Sequence, residues 1–131
     1  MSRSKSSVRT PLGRVRGLGS ARAGTSDFWQ QRLTAIAMIL LIVPIIFVVM
    51  MLLSSNHATA TQTLGAPFVA IVLILFVIAS VWHMKIGMQV VIEDYVHDER
   101  LKLVSIIGNN FFSVAVALAA IYATLKLSSG V

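Results

Sequence analysis

Three long apolar runs without a charged side chain dominate this chain, at residues 33–53, 66–84 and 103–125. A transmembrane helix needs about 20 predominantly apolar residues to cross a hydrocarbon core roughly 30 Å thick, and each run is long enough. Hydrophobic residues make up 56% of the 131 residues and charged residues 12%, whereas soluble domains carry about 25% charged residues. A helix pairs its own backbone N–H and C=O groups, which find no water in the bilayer core. The sequence therefore predicts an all-α integral membrane protein with three transmembrane helices.

The distribution of positive charge predicts the orientation of these helices. Residues 1–26 contain six basic residues and no acidic one, the connector 54–65 contains no Lys or Arg, and the connector 85–102 contains three basic residues. Positively charged loops stay on the cytoplasmic side. We therefore expect a cytoplasmic N-terminus and a C-terminus on the opposite side. Attraction to anionic lipid headgroups accounts for the basic tail, so no nucleic-acid partner is predicted.

The chain divides into a tail and one membrane domain. Residues 1–26, rich in Ser, Gly and Arg, are predicted to form a flexible tail, and residues 27–131 a single three-helix domain with spans at 33–53, 66–94 and 103–125. The second helix is predicted to leave the membrane at residue 84 and to continue to residue 94. No Pro follows residue 84, and the apolar periodicity continues beyond it. Pro67 suits the start of this helix.

His83 is the histidine that falls inside an apolar run, where an ionisable side chain is costly without a partner and suggests a functional site. Two interpretations stay open: a hydrogen bond to a neighbouring helix, or ligation of haem iron by the neutral imidazole. Gly87 and Asp94 share its helix face, and the glycine leaves room for a flat macrocycle. His57 and His97 belong to the connectors, so a bis-histidine haem would need its second ligand from another chain.

Other polar residues near the runs also have two interpretations. Tyr95 and Asp94 are either interfacial side chains or part of a quinone site, with the phenol donating to a quinone carbonyl. Arg32 is either a topology anchor or a partner for haem propionates. Asn109 and Asn110 are expected to hydrogen-bond between helices. The chain has no cysteine and therefore supplies no thiolate ligand for an iron–sulfur cluster.

One segment resembles a known family. HMKIGMQVVIEDYV, residues 83–96, resembles the pattern H-x3-G-(M/L)-x-x-(V/I)-x-x-D-Y-(V/I) of the cytochrome b-type hydrophobic membrane-anchor subunits of succinate dehydrogenase. RLTAI, residues 32–36, is similar to the start of the first helix in the same family. The resemblance covers roughly residues 27–126.

The resemblance implies a role in respiratory complex II, which links the tricarboxylic acid cycle to electron transport. Such anchors pair with a second three-helix anchor, share one haem b with it, and hold the iron–sulfur and flavoprotein subunits on the membrane. His83 would be one axial ligand of the haem iron, with Gly87 packed against the haem and Arg32 near its propionates. Tyr95 would hydrogen-bond ubiquinone, with Asp94 beside it. The isolated chain is not expected to be catalytic.

Three alternatives remain within this interpretation. The chain could anchor a fumarate reductase, since sequence does not fix the direction of electron flow. It could be a structural anchor without haem, in which His83 only hydrogen-bonds, or an accessory subunit of a transporter or another respiratory complex. We expect the protein in the inner membrane of a bacterium; the mitochondrial inner membrane is the less favoured location.

Overall fold

The computed structural model describes residues 23–129. They form four helices: α1 (Ala23–Leu53), α2 (His57–Gly65), α3 (Pro67–Tyr95) and α4 (Glu99–Ser129). Three of these, α1, α3 and α4, are long and apolar enough to cross a membrane, which confirms the all-helical prediction. Most of the tail predicted to be flexible, residues 1–22, lies outside the described residues, and residues 23–26 form the first turn of α1.

Helix α3 begins at a proline and continues well past the apolar run. Pro67 occupies the first turn, after Ala66 as N-cap, where its missing N–H costs little. The helix ends at Tyr95, and the Val96 N–H donates to the Ile92 carbonyl over 3.0 Å. Residues 85–95 thus stay in register with the apolar part, and the face that carries His83 is continuous to the end of the helix.

The short helix α2 was not predicted by the sequence analysis, which had only a connector at 54–65. The Asn56 side chain caps it by accepting a hydrogen bond from the Thr59 N–H at 2.9 Å, as asparagine commonly does at this position. At its other end, a Cβ on Gly65 would lie 2.8 Å from the backbone oxygen of Leu127. Gly65 therefore allows α2 to pack closely on the end of α4.

Helix α3 lies between its two long neighbours. It packs against both α1 and α4, whose backbones do not approach each other closely within residues 23–129. Several buried residues at these interfaces are small, as expected where helices approach closely in lipid. The buried residues are Ala70, Val72, Ala79, Ile86 and Ile92 on α3, and Asn109, Ser113 and Thr124 on α4. Because α3 faces a different helix on each side, its polar groups near residue 83 find partners in two directions.

Candidate functional site

A groove of about 690 Å³ runs between α1 and α3. Both walls mix apolar and polar side chains. The lining residues are Asp27, Phe28, Gln31, Arg32 and Ala35 on α1, and His83, Ile86, Gly87, Val90 and Glu93 on α3. Three of the predicted site residues, His83, Gly87 and Arg32, therefore lie in one groove.

Both ring nitrogens of the half-buried His83 have partners on α1. Nδ1 lies 3.1 Å from the Thr34 hydroxyl oxygen, and Nε2 lies 3.3 Å from the Gln31 side-chain nitrogen. The imidazole therefore makes polar contacts with a neighbouring helix through both nitrogens. Gln31 and Thr34 were missed by the sequence analysis. Their spacing of three residues, which puts two polar side chains on one helix face, is the signal that could have identified them.

A second polar contact joins the same two helices next to His83. The Trp82 indole N–H donates to the Gln30 side-chain oxygen over 2.9 Å. The hydroxyl of Thr34 also lies 2.8 Å from the Gln30 carbonyl oxygen and 3.1 Å from the Gln31 carbonyl oxygen. Residues 30–34 of α1 and residues 82–83 of α3 thus form one polar layer, which sets the relative positions of the groove walls.

Gly87 lies one helical turn from His83 and leaves space beside the imidazole. A Cβ at this position would meet the Gln31 side-chain nitrogen at 3.4 Å, an ordinary van der Waals distance, and no other atom within 4 Å outside its own helix backbone and chain neighbours. The groove is therefore open at Gly87 because the residue has no side chain.

Arg32 is exposed at the edge of the groove. Its guanidinium carbon lies 4.5 Å from the centre of the Phe28 ring, within the range of a cation–π interaction. Phe28 in turn makes an edge-to-face contact with Trp29, with ring centres 6.0 Å apart. These contacts hold a positive charge next to the groove.

Tyr95 and Asp94 lie away from the groove, at the exposed end of α3. The side chain of Tyr95 is 77% exposed, and Asp94 is exposed as well. Glu93, rather than Asp94, lines the groove on this side of the helix, and its carboxylate accepts a hydrogen bond from the Gln89 amide at 2.8 Å. The structure therefore separates the predicted quinone residues from the predicted haem residues.

The opposite side of α3 is joined to α4 by a buried asparagine. Asn109 donates from its side-chain nitrogen to the Lys85 carbonyl over 2.9 Å, which confirms its predicted interhelical hydrogen bond. The Ser113 hydroxyl donates to the Asn109 carbonyl over 2.7 Å. The side-chain oxygen of Asn110 is buried and has no hydrogen-bond partner among the described residues. This oxygen therefore does not make the interhelical hydrogen bond that was predicted for Asn110.

Within residues 23–129, no three His, Asp or Glu side chains come together as a set of metal ligands. A haem iron needs only one protein ligand on each face. In this part of the chain, His83 is the nitrogen donor that lies in a groove beside a glycine.

The comparison with known proteins identifies the family. The family model for the transmembrane subunit of succinate dehydrogenase and fumarate reductase matches residues 6–117. The chain belongs to this family. The match includes both walls of the groove, so His83, Gly87 and Arg32 all lie in the part of the chain that the family shares.

Individual relatives agree with this family. The chain is 32% identical over 121 residues to the succinate dehydrogenase hydrophobic membrane anchor subunit of Paracoccus denitrificans, covering 92% of this chain and 93% of that protein. It is 32% identical over 115 residues to the subunit of the same name from Rickettsia bellii, with coverage of 88% and 92%. A succinate dehydrogenase membrane anchor subunit of Reclinomonas americana is 32% identical over 88 residues, covering 65% of this chain and 73% of that protein. No solved structure gives a significant match.

Proposed function

We propose that the chain is a membrane-anchor subunit of succinate:ubiquinone oxidoreductase, in which His83 supplies one axial ligand to a haem b. Membership of the family supports the anchoring role. The observation that carries the haem assignment is the groove, where a nitrogen donor (His83), a position without a side chain (Gly87) and a cation (Arg32) lie together.

The residues present fit a haem. Beside His83 the groove is lined by Ala35, Ile86 and Val90, which present apolar side chains to a macrocycle. Arg32 lies at the edge of the groove, where its planar guanidinium matches the geometry of a propionate carboxylate. A bound haem supplies one-electron redox chemistry, whose potential depends on the axial ligands and their hydrogen bonds.

The Gln31 amide lies near the Nε2 atom that would ligate the iron. It must move aside for ligation, because one lone pair cannot serve both an N–H donor and a metal. Its contact with Nε2 is long at 3.3 Å, and its own side-chain oxygen is buried without a partner among the described residues. Moving the amide therefore breaks one weak hydrogen bond and gives an unsatisfied oxygen the opportunity to find a donor.

Partner chains supply the second axial ligand of the haem iron and carry out succinate oxidation. His57 and His97 do not line the groove, so a second histidine ligand comes from a second membrane anchor. The chain has no cysteine, so an iron–sulfur subunit and a flavoprotein subunit carry succinate oxidation. We assign the complex to a bacterial inner membrane, with the N-terminus of this chain cytoplasmic, because the basic residues concentrate in the tail and in residues 85–102, at the end of α3 and the start of α4.

The exposed end of α3 is proposed to form part of the ubiquinone site. The Tyr95 phenol can donate a hydrogen bond to a quinone carbonyl, and Asp94 can orient the phenol or a water beside it. Reduction of a quinone to a quinol consumes two protons as well as two electrons. An exposed position supports this role because water can deliver protons there.

Replacement of the histidine tests the haem assignment. His83→Leu is expected to remove or alter the b-type band in the reduced-minus-oxidised spectrum of the purified complex. His83→Gln, which can still hydrogen-bond to Thr34, is a second variant in case the leucine prevents assembly. His97→Leu, at an exposed position, is the matched control and should leave the spectrum unchanged. A wild-type spectrum in both His83 variants would refute the assignment.

Replacement of the tyrosine tests the quinone site. Tyr95→Phe removes only the hydroxyl and is expected to impair ubiquinone reduction while succinate oxidation by an artificial acceptor continues. Tyr122→Phe, an exposed tyrosine on α4, should leave both activities unchanged. Loss of both activities in Tyr95→Phe would indicate an assembly defect and contradict the proposed role.

Two alternatives have a specific observation in their favour. A structural anchor without haem is favoured by the hydrogen bonds that both nitrogens of His83 already make, and it predicts no b-type absorption in the wild-type complex. A fumarate reductase anchor is favoured by the family model, which covers both enzymes. Comparing the rates of succinate oxidation and fumarate reduction by the purified complex separates it from the main proposal.

A further inference from the structure

We infer that Thr34 is a positioning residue for His83: its hydroxyl accepts a hydrogen bond from Nδ1–H, fixes the imidazole tautomer and thereby directs the Nε2 lone pair into the groove. The inference rests on the proposed role of His83 as a haem ligand. It adds a residue of α1 to a site whose ligand is on α3.

The direction of this hydrogen bond follows from counting protons. A threonine hydroxyl has one proton to donate and lone pairs with which it accepts. The Thr34 oxygen lies 2.8 Å from the Gln30 carbonyl oxygen and 3.1 Å from the Gln31 carbonyl oxygen. Both carbonyls can only accept, so the hydroxyl proton points to them. Towards His83 Nδ1, at 3.1 Å, the hydroxyl can then only accept, and Nδ1 carries the proton.

The environment of Gln31 agrees with this tautomer. If Nδ1 is protonated in the neutral ring, Nε2 has a lone pair and needs a donor. The atom of Gln31 at 3.3 Å from Nε2 is the amide nitrogen, which donates. The amide oxygen is left buried without a partner, although buried polar groups are usually satisfied. If the side-chain oxygen and nitrogen of Gln31 were exchanged, the oxygen would face the Nε2 lone pair and two acceptors would meet. The imidazole therefore fixes the orientation of the Gln31 amide.

This arrangement has a direct consequence for iron ligation. A histidine that binds a metal through one nitrogen normally donates its other N–H to an acceptor, which orients the ring and raises its basicity. The Thr34 oxygen is polarised for this role because its own proton is bonded to a backbone carbonyl. Thr34 is β-branched and held by a helix turn, so the acceptor has little rotational freedom.

The test uses the purified complex and three threonine variants. Thr34→Val keeps the shape and removes the acceptor, whereas Thr34→Ser keeps the hydroxyl. Thr124→Val is the matched control, because Thr124 is buried on α4 and its hydroxyl also donates to a carbonyl four residues earlier, at 2.9 Å. The measurements are haem retained per complex on dilution or washing, and the midpoint potential of the haem from a redox titration.

Thr34→Val is expected to weaken haem retention about 10- to 100-fold, the usual loss for such an outer partner. It should also raise the midpoint potential, because a less basic imidazole stabilises the oxidised iron less. Thr34→Ser should restore both values, and Thr124→Val should leave the potential unchanged. A Thr34→Val complex with the wild-type potential and retention would overturn the inference, as would equal losses in Thr34→Val and Thr124→Val.

The result is distinguishable from failure of the proposed function. If both His83 variants remove or alter the b-type band but Thr34→Val has no effect on it or on the potential, only the inference about Thr34 is wrong. If neither His83 variant changes the band, His83 is not the ligand and both proposals fail.

Discussion

Replacing Gly87 with alanine should have opposite effects on the stability of the chain and on haem binding. The added methyl group would meet only the Gln31 side-chain nitrogen, at 3.4 Å, so it fits without a clash. Glycine inside a helix is destabilising by roughly 0.5–1 kcal/mol relative to alanine. Because no overpacking cost of about 1–3 kcal/mol opposes this gain, the free energy of unfolding without haem should rise by about 0.5–1 kcal/mol.

The same methyl group should hinder the proposed haem. It projects into the groove one turn from His83, where a macrocycle ligated by the imidazole needs a flat surface. Haem content of the complex should therefore fall in Gly87→Ala and be lost in Gly87→Leu, which adds three more carbon atoms. Gly108→Ala is the matched control: its added methyl group on α4 would meet no atom within 4 Å, so stability should rise similarly and haem content should stay unchanged.

Two measurements check this prediction. Titration of the full-length chain with SDS in mixed micelles, followed by helical circular dichroism, gives the free energy of unfolding without haem. The reduced-minus-oxidised spectrum of the purified complex gives the haem content. A Gly87→Ala chain that is less stable than wild type would refute the open geometry at this position, and full haem content in both Gly87 variants would refute haem packing against it.

Three further predictions concern packing and topology. Gly65→Ala should destabilise the chain by about 1–3 kcal/mol in the same SDS titration, because its Cβ would lie 2.8 Å from the Leu127 backbone oxygen; wild-type stability would contradict this close approach. Asn109→Leu removes the hydrogen bond to the Lys85 carbonyl and should cost about 0.6–1.7 kcal/mol; an equal cost for Asn110→Leu would contradict the difference between the two amides. In intact spheroplasts, a membrane-impermeant maleimide should label Ser129→Cys and not Ser6→Cys, in a chain without other cysteines; the reverse labelling would invert the proposed orientation.

The sequence was sufficient to predict the three long helices because their signal is local. Each contains an uncharged apolar run, and α3 ends at Tyr95, one residue from its predicted end. Helix α2 could not be predicted in this way, because its sequence HATATQTLG has no apolar run and its end packs closely against α4 at Gly65. A capping asparagine at position 56 was its main local signal.

The candidate site was predictable only in part, for a related reason. His83 and Gly87 were placed on one face because helical periodicity is a property of α3 alone. Gln31 and Thr34 were not connected to them, since the face of α1 that meets α3 depends on packing between helices. In lipid, apolar side chains on either face of a helix are equally well solvated, so hydropathy does not reveal which face has a neighbour.

The contacts that position His83 also fix the register of α1 against α3. Gln30 bonds to Trp82, and Gln31 and Thr34 both reach His83, so three side-chain contacts lie at one level of an otherwise mostly apolar interface. Within the described residues the backbone of α1 does not closely approach that of α4, so these contacts help to fix the position of α1 along α3. A shift of α1 by one turn would move Arg32 about 5.4 Å along the groove. The polar layer therefore sets the positions of the two groove walls, and a variant of His83 that keeps its hydrogen bonds separates loss of the ligand from loss of the register.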